Sequence, residues 1–504
     1  MPLRRMLLLL PAVAGATLWL PAARADEAAC ARLRGSGAFP QTVISAAVYQ
    51  PADATRKLPA YCEVTGIITA VPDSTVKVVY RLPEGWNGKL IGFGGGGWAG
   101  DVRPETAAPG LQKGYATAQT NGGHEAKAVF DTSWAQDDPV AMTDFSHRAV
   151  HVMTLTAKHV VKQYYGIPAR RSYFQGCSTG GRQGMMETQR YPEDYDGVIA
   201  GAPVYNLTVQ MMGVLRNRNF LKAGAAIPEA QLKRVHAAVL ASCDADDGLR
   251  DGIVTDPRAC AWDPGELACK AGQSVDECLS LTQVQALRDA YTTVRDETGV
   301  VGNYGLTRGG ESGWMPFVQS APSGPANAAT GNLGALTVYM FGRADYDTAS
   351  FDPSKNQAAL HSTPFAQEYE AAEAGLEPYL KRGGKLLLWH GFDDPGPSPF
   401  ATIDYYERAK QANGADSAIS LYVAPGVYHC HGGPGADDFD LIAALDGWFE
   451  QGRAPQSIPA RNSQSGHERP LCAWPALPYY KGSGDPRKLD SFECRAPSIG
   501  GSSP

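Results

Sequence analysis

Two dipeptides in this chain carry groups that could perform acyl transfer together: Cys177-Ser178 offers a hydroxyl nucleophile, and His429-Cys430 offers a general base. A serine hydroxyl is a weak nucleophile until a neighbouring imidazole takes its proton. Each of the two residues has a cysteine beside it, and a bridge between those cysteines would hold the base loop against the nucleophile loop. Bridged Cα atoms lie roughly 4.4–6.8 Å apart, and a serine Oγ must come within about 3 Å of the imidazole nitrogen. Neighbours of bridged residues can satisfy both conditions.

Such groups need elements that deliver them to one place. Residues 171–175 read as a short strand, residues 176–181 as a glycine-rich turn, and residues 182–190 as a helix ending before Pro192. Strand, Gly-x-Ser-x-Gly and helix make a nucleophile elbow, a turn so sharp that flanking side chains have no room. Residues 89–93 read as a second strand, running into Gly94-Gly95-Gly96-Gly97. In an α/β-hydrolase the loop after such a strand supplies one N–H of an oxyanion hole, here expected from Gly96, and the residue after the nucleophile, Thr179, supplies the other. No Gly-Lys-Ser/Thr follows the glycine run, which disfavours a phosphate loop.

An acid and a base should follow in that order, each at a strand end. The apolar run 385–389 suits a buried parallel strand and leads into His390-Gly391-Phe392-Asp393-Asp394, so the acid is Asp393 or Asp394. The run 419–423 leads to His429 and His431. His429, His431 and His390 are all candidate bases, and His429 stands out because Cys430 is the natural partner of Cys177.

The redox compartment must allow such a bridge. Arg4 and Arg5 precede an apolar run to Leu20, and Ala23-Arg24-Ala25 has small residues where a signal peptidase reads. Residues 1–25 are therefore expected to be a signal peptide, with the mature chain starting at Asp26 in a periplasm or outside the cell. Pro11, Gly15 and Pro21 break the run, which falls short of the roughly 20 residues a spanning helix needs. No later segment has a spanning run, so no membrane partner is expected after cleavage. The formal net charge of −7 argues against nucleic acid. The ten cysteines (30, 62, 177, 243, 260, 269, 278, 430, 472 and 494) all follow Asp26, and an even count in an exported chain suggests bridges whose pairing spacing alone does not choose.

The stretch from Cys243 to Ile253 places Asp244, Asp246, Asp247 and Asp251 around Gly248 and Gly252. Carboxylates along a glycine-containing loop suit calcium, which takes six to eight oxygens. An EF-hand would want Glu where Thr255 stands, and a solvated acidic turn is the plainer alternative.

At these residues the chain resembles the tannase and feruloyl esterase family of α/β-hydrolases. The resemblance rests on Gly176-Cys177-Ser178 with Gly180-Gly181-Arg182, on Tyr191-Pro192, Asp196-Gly197 and Gly201-Ala202-Pro203, on His390-Gly391 and on His429-Cys430, and it extends over essentially the whole mature chain. It implies an α/β-hydrolase fold of residues 26–205 and 372–504, with a large lid domain inserted at 206–371. It implies a triad of Ser178, Asp394 and His429, with Cys177 bridged to Cys430. The other pairs implied are Cys30 with Cys62, Cys243 with Cys260, Cys269 with Cys278, and Cys472 with Cys494. A structural calcium in the lid is implied too, held by Asp244, Asp247 and Asp251 and by the carbonyls of Leu249 and Ile253. No organic cofactor is implied.

The activity expected is that of a secreted serine carboxylesterase acting on a small aromatic ester, as a monomer. The family's substrates range over galloyl, hydroxycinnamoyl and terephthaloyl esters. Its terephthalate-monoester enzyme has Glu after the serine where this chain has Thr179, which weakens a specific expectation of terephthalate. Trp314, Phe317, Tyr339, Phe341, Tyr346 and Phe351 lie in the lid, where most should be core and one or two could stack on an acyl group. A serine peptidase on the same fold, or a non-catalytic calcium-dependent binding protein, is the alternative reading.

Overall fold

A computed structural model describes residues 27–496, apart from residues 36–38, 40, 99, 127, 130, 136–137, 275, 297–298, 316–317 and 319–360. Nine strands form one sheet: β1 (Thr42–Gln50), β2 (Tyr61–Ile68), β3 (Val76–Pro83), β4 (Lys89–Phe93), β5 (Ala116–Thr120), β6 (Arg171–Cys177), β7 (Gly197–Gly201), β8 (Lys385–Gly391) and β9 (Ile419–Ala424). Their order is β1-β2-β3-β5-β4-β6-β7-β8-β9. From β5 to β9 in that order the strands run parallel to one another, while β1, β2 and β3 add an antiparallel edge that joins at β5.

The apolar runs form central strands because helices cover both faces and leave no side for polar residues. Leu386, Leu387 and Leu388 are all fully buried, and they alternate between the two faces. One face packs against α2 (Ala149–Tyr165), α3 (Thr179–Arg190) and α7 (Pro399–Asn413), through Met153, Met185 and Ile403 among others. The other packs against α1 (Pro104–Gln112) and α8 (Leu441–Gln451), through Ala107, Leu445 and Trp448. A separate core lies between β7 and β8 in the sequence. It is built by α5 (Glu229–Cys243), α6 (Leu281–Tyr291) and their loops, with Trp262, Leu287 and Trp314 buried in it. The helix α4 (Leu207–Asn217) leads into that region.

Chain order reverses beside β4: β5 lies on one side of it and β6 on the other. Ligands of open α/β sheets bind at such a reversal, beyond the carboxyl ends of the strands. Here it sets the glycine run after β4 directly beside the turn after β6, with Phe93 in register with Gln175.

Five disulfides form, in the same pairs that the resemblance implies, with Cα separations from 4.8 to 6.1 Å. No helix among the described residues is long and apolar enough to cross a membrane.

Asp446 of α8 fastens that helix to the sheet, accepting from Lys89, from Tyr115 Oη at 2.8 Å and from Tyr173 Oη at 2.7 Å. Burial raises its pKa, but these donors outweigh burial and leave it below the usual carboxylate value. Replacing it by alanine strands a buried ammonium and two phenols, which should cost about 3–5 kcal/mol. Chemical denaturation of Asp446→Ala should show that loss.

Candidate active site

The elbow begins where β6 ends. Ser178 has φ 63° and ψ −122°, a conformation side-chain-bearing residues adopt only when their surroundings enforce it. Enforcement comes from its own backbone, which donates to Gly201 O at 2.9 Å and accepts from Arg182 N at 3.1 Å and Val204 N at 3.2 Å. The flanking glycines are steric requirements. A Cβ on Gly176 would stand 2.4 Å from the carbonyl carbon of Gly180, and one on Gly94 would stand 2.5 Å from Gly180 Cα.

Three sequence-predicted residues converge at the strand ends. His429 Nε2 lies 2.9 Å from Ser178 Oγ, and His429 Nδ1 lies 2.7 Å from Asp394 Oδ2. Asp394 is fully buried, and Gly396 N donates to its other oxygen at 2.7 Å. Burial by itself would raise the Asp394 pKa; the His429 and His390 rings more than offset this and hold it below the ordinary carboxylate value.

The remaining candidates separate from these. His390 touches Asp394 rather than Ser178: its Nε2 lies 3.2 Å from Asp394 Oδ2 and 3.1 Å from Pro397 O, and its Nδ1 lies 2.8 Å from Thr402 Oγ1. Both neighbours of Nε2 are acceptors, so that nitrogen carries the proton. His431 is exposed at the mouth of the cavity. Asp393 is buried away from the histidines, and neither of its carboxylate oxygens has a hydrogen-bond partner.

The glycine run docks on the elbow through Thr179, whose Oγ1 donates to Gly97 O at 2.8 Å. Gly94 N donates to Gln175 O and Gly95 N to Gln183 Oε1, each at 3.0 Å. The N–H groups of Gly96 and Thr179 donate to no described residue.

These loops border a cavity of about 640 Å³, within the usual range for small-molecule sites. Its apolar wall includes Trp98, Leu207, Met211, Val214, Tyr369 and Trp389. No spacing in the sequence announces this set, which comes from four separated segments. Trp314 belongs to the core of the inserted region, while Phe317, Tyr339, Phe341, Tyr346 and Phe351 lie outside the described residues. Tyr369 is held from behind by Arg182, fully buried, with its guanidinium 3.9 Å from the Tyr369 ring centroid. Among the described residues no carboxylate is paired with that guanidinium; it donates to the carbonyls of Phe145 at 3.0 Å, Ser146 at 2.5 Å and Tyr369 at 3.2 Å.

The aspartate loop closes on itself. Asp244 accepts from the N–H groups of Asp251, Gly252 and Ile253 at 3.1–3.2 Å, and Asp247 accepts from Leu249 N and Thr255 Oγ1. Burial first, and then the Asp251 and Asp244 charges, push the Asp247 pKa up to about 6 against its hydrogen bonds. Asp251 gives one oxygen to Arg469, and its other oxygen is buried without a partner. The carbonyls of Leu249 and Ile253 accept no described hydrogen bond. Among the described residues, no group of three or more His, Cys, Asp or Glu side chains is disposed to hold a metal ion. The donors that remain, one Asp251 oxygen and the carbonyls of Leu249 and Ile253, are oxygens of the kind a hard cation takes, although the three carboxylates are not grouped around one point.

The sheet, its elbow and the loops above it define an α/β-hydrolase. The chain belongs to the tannase and feruloyl esterase family, whose model matches residues 62–495, and it is a carboxylic ester hydrolase. It is 33% identical to mono(2-hydroxyethyl) terephthalate hydrolase of Piscinibacter sakaiensis, over 94% of this chain and 92% of that protein. A probable feruloyl esterase of Arthroderma benhamiae is 32% identical over 83% and 82% of the two chains. The crystal structure of feruloyl esterase B from Aspergillus oryzae superposes with a TM-score of 0.83 at 24% identity, over 93% of this chain and all of that one.

Asp393 supplies a test of the packing beneath the site. Burial, with a contribution from Glu311, raises its pKa well above the usual value. A folded pKa above the unfolded one makes stability fall as pH rises from the unfolded value towards the folded one. Asp393→Asn removes that dependence, so its melting temperature should gain on the wild type between pH 4 and pH 7. A constant difference across that range would contradict a buried, protonated Asp393.

Proposed function

We propose that the chain is a secreted serine esterase that hydrolyses esters of aromatic acids through Ser178, His429 and Asp394. The observation that carries this reading is the continuous line of contacts from Ser178 Oγ, on the cavity wall, through His429 to a buried Asp394. His429 Nδ1 donates to Asp394, which leaves Nε2 to accept the serine proton as Oγ attacks the ester carbonyl. Asp394 keeps the ring in that tautomer and stabilises the imidazolium. The idle N–H groups of Gly96 and Thr179 are suited to the oxyanion, a contribution typically worth about 10² to 10³ in turnover per donor. His429 then returns the proton to the leaving alcohol, and the same base activates the water that cleaves the acyl-enzyme.

An aromatic acyl group suits the Trp98, Tyr369 and Trp389 surfaces, and the family's description and the names of both relatives refer to aromatic acids. Secretion is supported by the leader-like N-terminus and by five disulfides, which persist in oxidising compartments. The 253-residue separation of Cys177 and Cys430 gives roughly 5 kcal/mol in the chain-entropy model, as an upper value.

Ser178→Ala should abolish hydrolysis of methyl gallate, methyl ferulate, chlorogenate and mono(2-hydroxyethyl) terephthalate while keeping the wild-type circular dichroism. Asp394→Asn should reduce kcat by about 10⁴, whereas Asp393→Asn should stay close to wild type. Full activity of Ser178→Ala would refute the mechanism, and the best wild-type substrate in the panel identifies the acyl class.

Calcium in the loop of Asp244, Asp247 and Asp251, with the carbonyls of Leu249 and Ile253, would draw these carboxylates together, neutralise them and add stability, with no part in the chemical step. At about a hundredfold excess over its Kd a bound ion contributes about 2.7 kcal/mol. Chelation should therefore lower the melting temperature, and added calcium should restore it. An unchanged melting temperature, with no calcium retained after gel filtration, would remove the ion from the account.

A further inference from the structure

Among the described residues, three charged side chains other than histidine line the catalytic cavity: Asp101, Arg103 and Arg216. Asp101 and Arg103 pair with each other at 3.0 Å. Arg216, near the end of α4, is half-buried, and none of its partners among the described residues is a carboxylate. Its Nη1 donates to Tyr304 O at 2.8 Å, and its Nε and Nη2 both donate to Asn217 Oδ1, at 3.2 and 3.0 Å. A guanidinium has five N–H donors, so two are left over. Burial alone lowers its pKa, to about 10, which leaves it charged at neutral pH.

The same arginine borders a recess of about 30 Å³ that shares Gln210, Gly213, Gly396 and Pro397 with the main cavity. Two further polar atoms on the recess wall lack partners: Asn303 Nδ2, on a residue only 4% exposed, and Ser398 Oγ, four residues past Asp394. Gly213, one turn before Arg216, leaves the space between them open. A Cβ there would stand 3.4 Å from the Asn303 amide oxygen and 4.0 Å from Arg216 Nη2. A half-buried cation with no carboxylate partner among the described residues, beside hydroxyl and amide donors that are idle there too, makes a site for an anion that arrives with the ligand.

We propose that Arg216, with Asn303 and Ser398, forms a carboxylate subsite, so that the preferred substrate is an aromatic ester that also carries a free carboxylate. This rests on the esterase reading above and narrows its substrate class. The carboxylate could sit on the acyl group, as in a diacid monoester, or on the alcohol, as in a hydroxycinnamoyl ester of a hydroxy acid; the chemistry at Arg216 is the same.

Two matched pairs separate these sources: monomethyl terephthalate against dimethyl terephthalate, and chlorogenate against its methyl ester. Wild-type kcat/KM should favour the charged member of at least one pair by about 10- to 100-fold, the usual size of a charge-assisted contact. The pair that shows the preference locates the carboxylate. Arg216→Gln should erase that preference through KM, with a loss of kcat/KM about 10- to 100-fold larger on the charged ester than on its neutral partner. Raising sodium chloride from 50 to 500 mM should raise KM for the charged ester alone in the wild-type enzyme, a measurement that needs no variant. Turnover without charge preference in either pair, or an equal loss on charged and neutral esters in Arg216→Gln, would overturn the subsite and leave the esterase reading standing. No turnover of any ester would overturn the esterase reading itself.

Discussion

The site depends on a contact between two stretches of bare backbone. The turn after β4 and the turn after β6 meet at Gly94, Gly176 and Gly180, at distances no side chain could occupy. Because β4 and β6 are adjacent in the sheet, this approach is fixed by strand register rather than by loop packing. It turns the Ser178 hydroxyl outward, leaves the Gly96 and Thr179 N–H groups idle and lets Thr179 Oγ1 reach Gly97. Strain at Ser178 is then a result of the close approach, held by three backbone hydrogen bonds around the serine.

The histidine reaches the same place by a different route. Its loop leaves β9, and the bridge from Cys430 to Cys177 brings the two backbones to a Cα separation of 6.1 Å. On the other side, Asp394 is held by Gly396 N, His390 and His429 together. A covalent restraint thus sets the distance between Ser178 and His429, while hydrogen bonds set the ring orientation. The division is physically apt, since a disulfide fixes separation more strictly than it fixes direction.

Much of this was legible in the sequence because it lies at strand ends. Continuous apolar runs identify buried parallel strands, and the residues immediately after them must lie on one edge of the sheet. That is why Ser178, Asp394 and His429 could be named, with the structure separating Asp394 from Asp393 by its contact with His429. The wall of the cavity was not legible. Trp98, Met211, Tyr369 and Trp389 come from a loop, a helix, a short helical turn and a strand, and no spacing links them. The sequence drew attention to aromatic residues of the inserted region instead, and Trp314 turns out to fill that region's own core. His390 had the right type and place for a base, but its contacts with Asp394, Pro397 and Thr402 make it a support for Asp394.

Arg182 ties catalysis to recognition. It sits on the helix that follows Ser178, and its buried charge meets three carbonyl oxygens, the rings of Tyr369 and Phe145 and, without direct contact, the Glu187 carboxylate. Tyr369 in turn forms part of the cavity wall. A mutational path that reshapes the cavity at Tyr369 would uncover a buried guanidinium one turn from the serine, so new specificities on this scaffold should be reached more readily through Leu207, Met211 and Val214 of α4, whose side chains carry no such second duty.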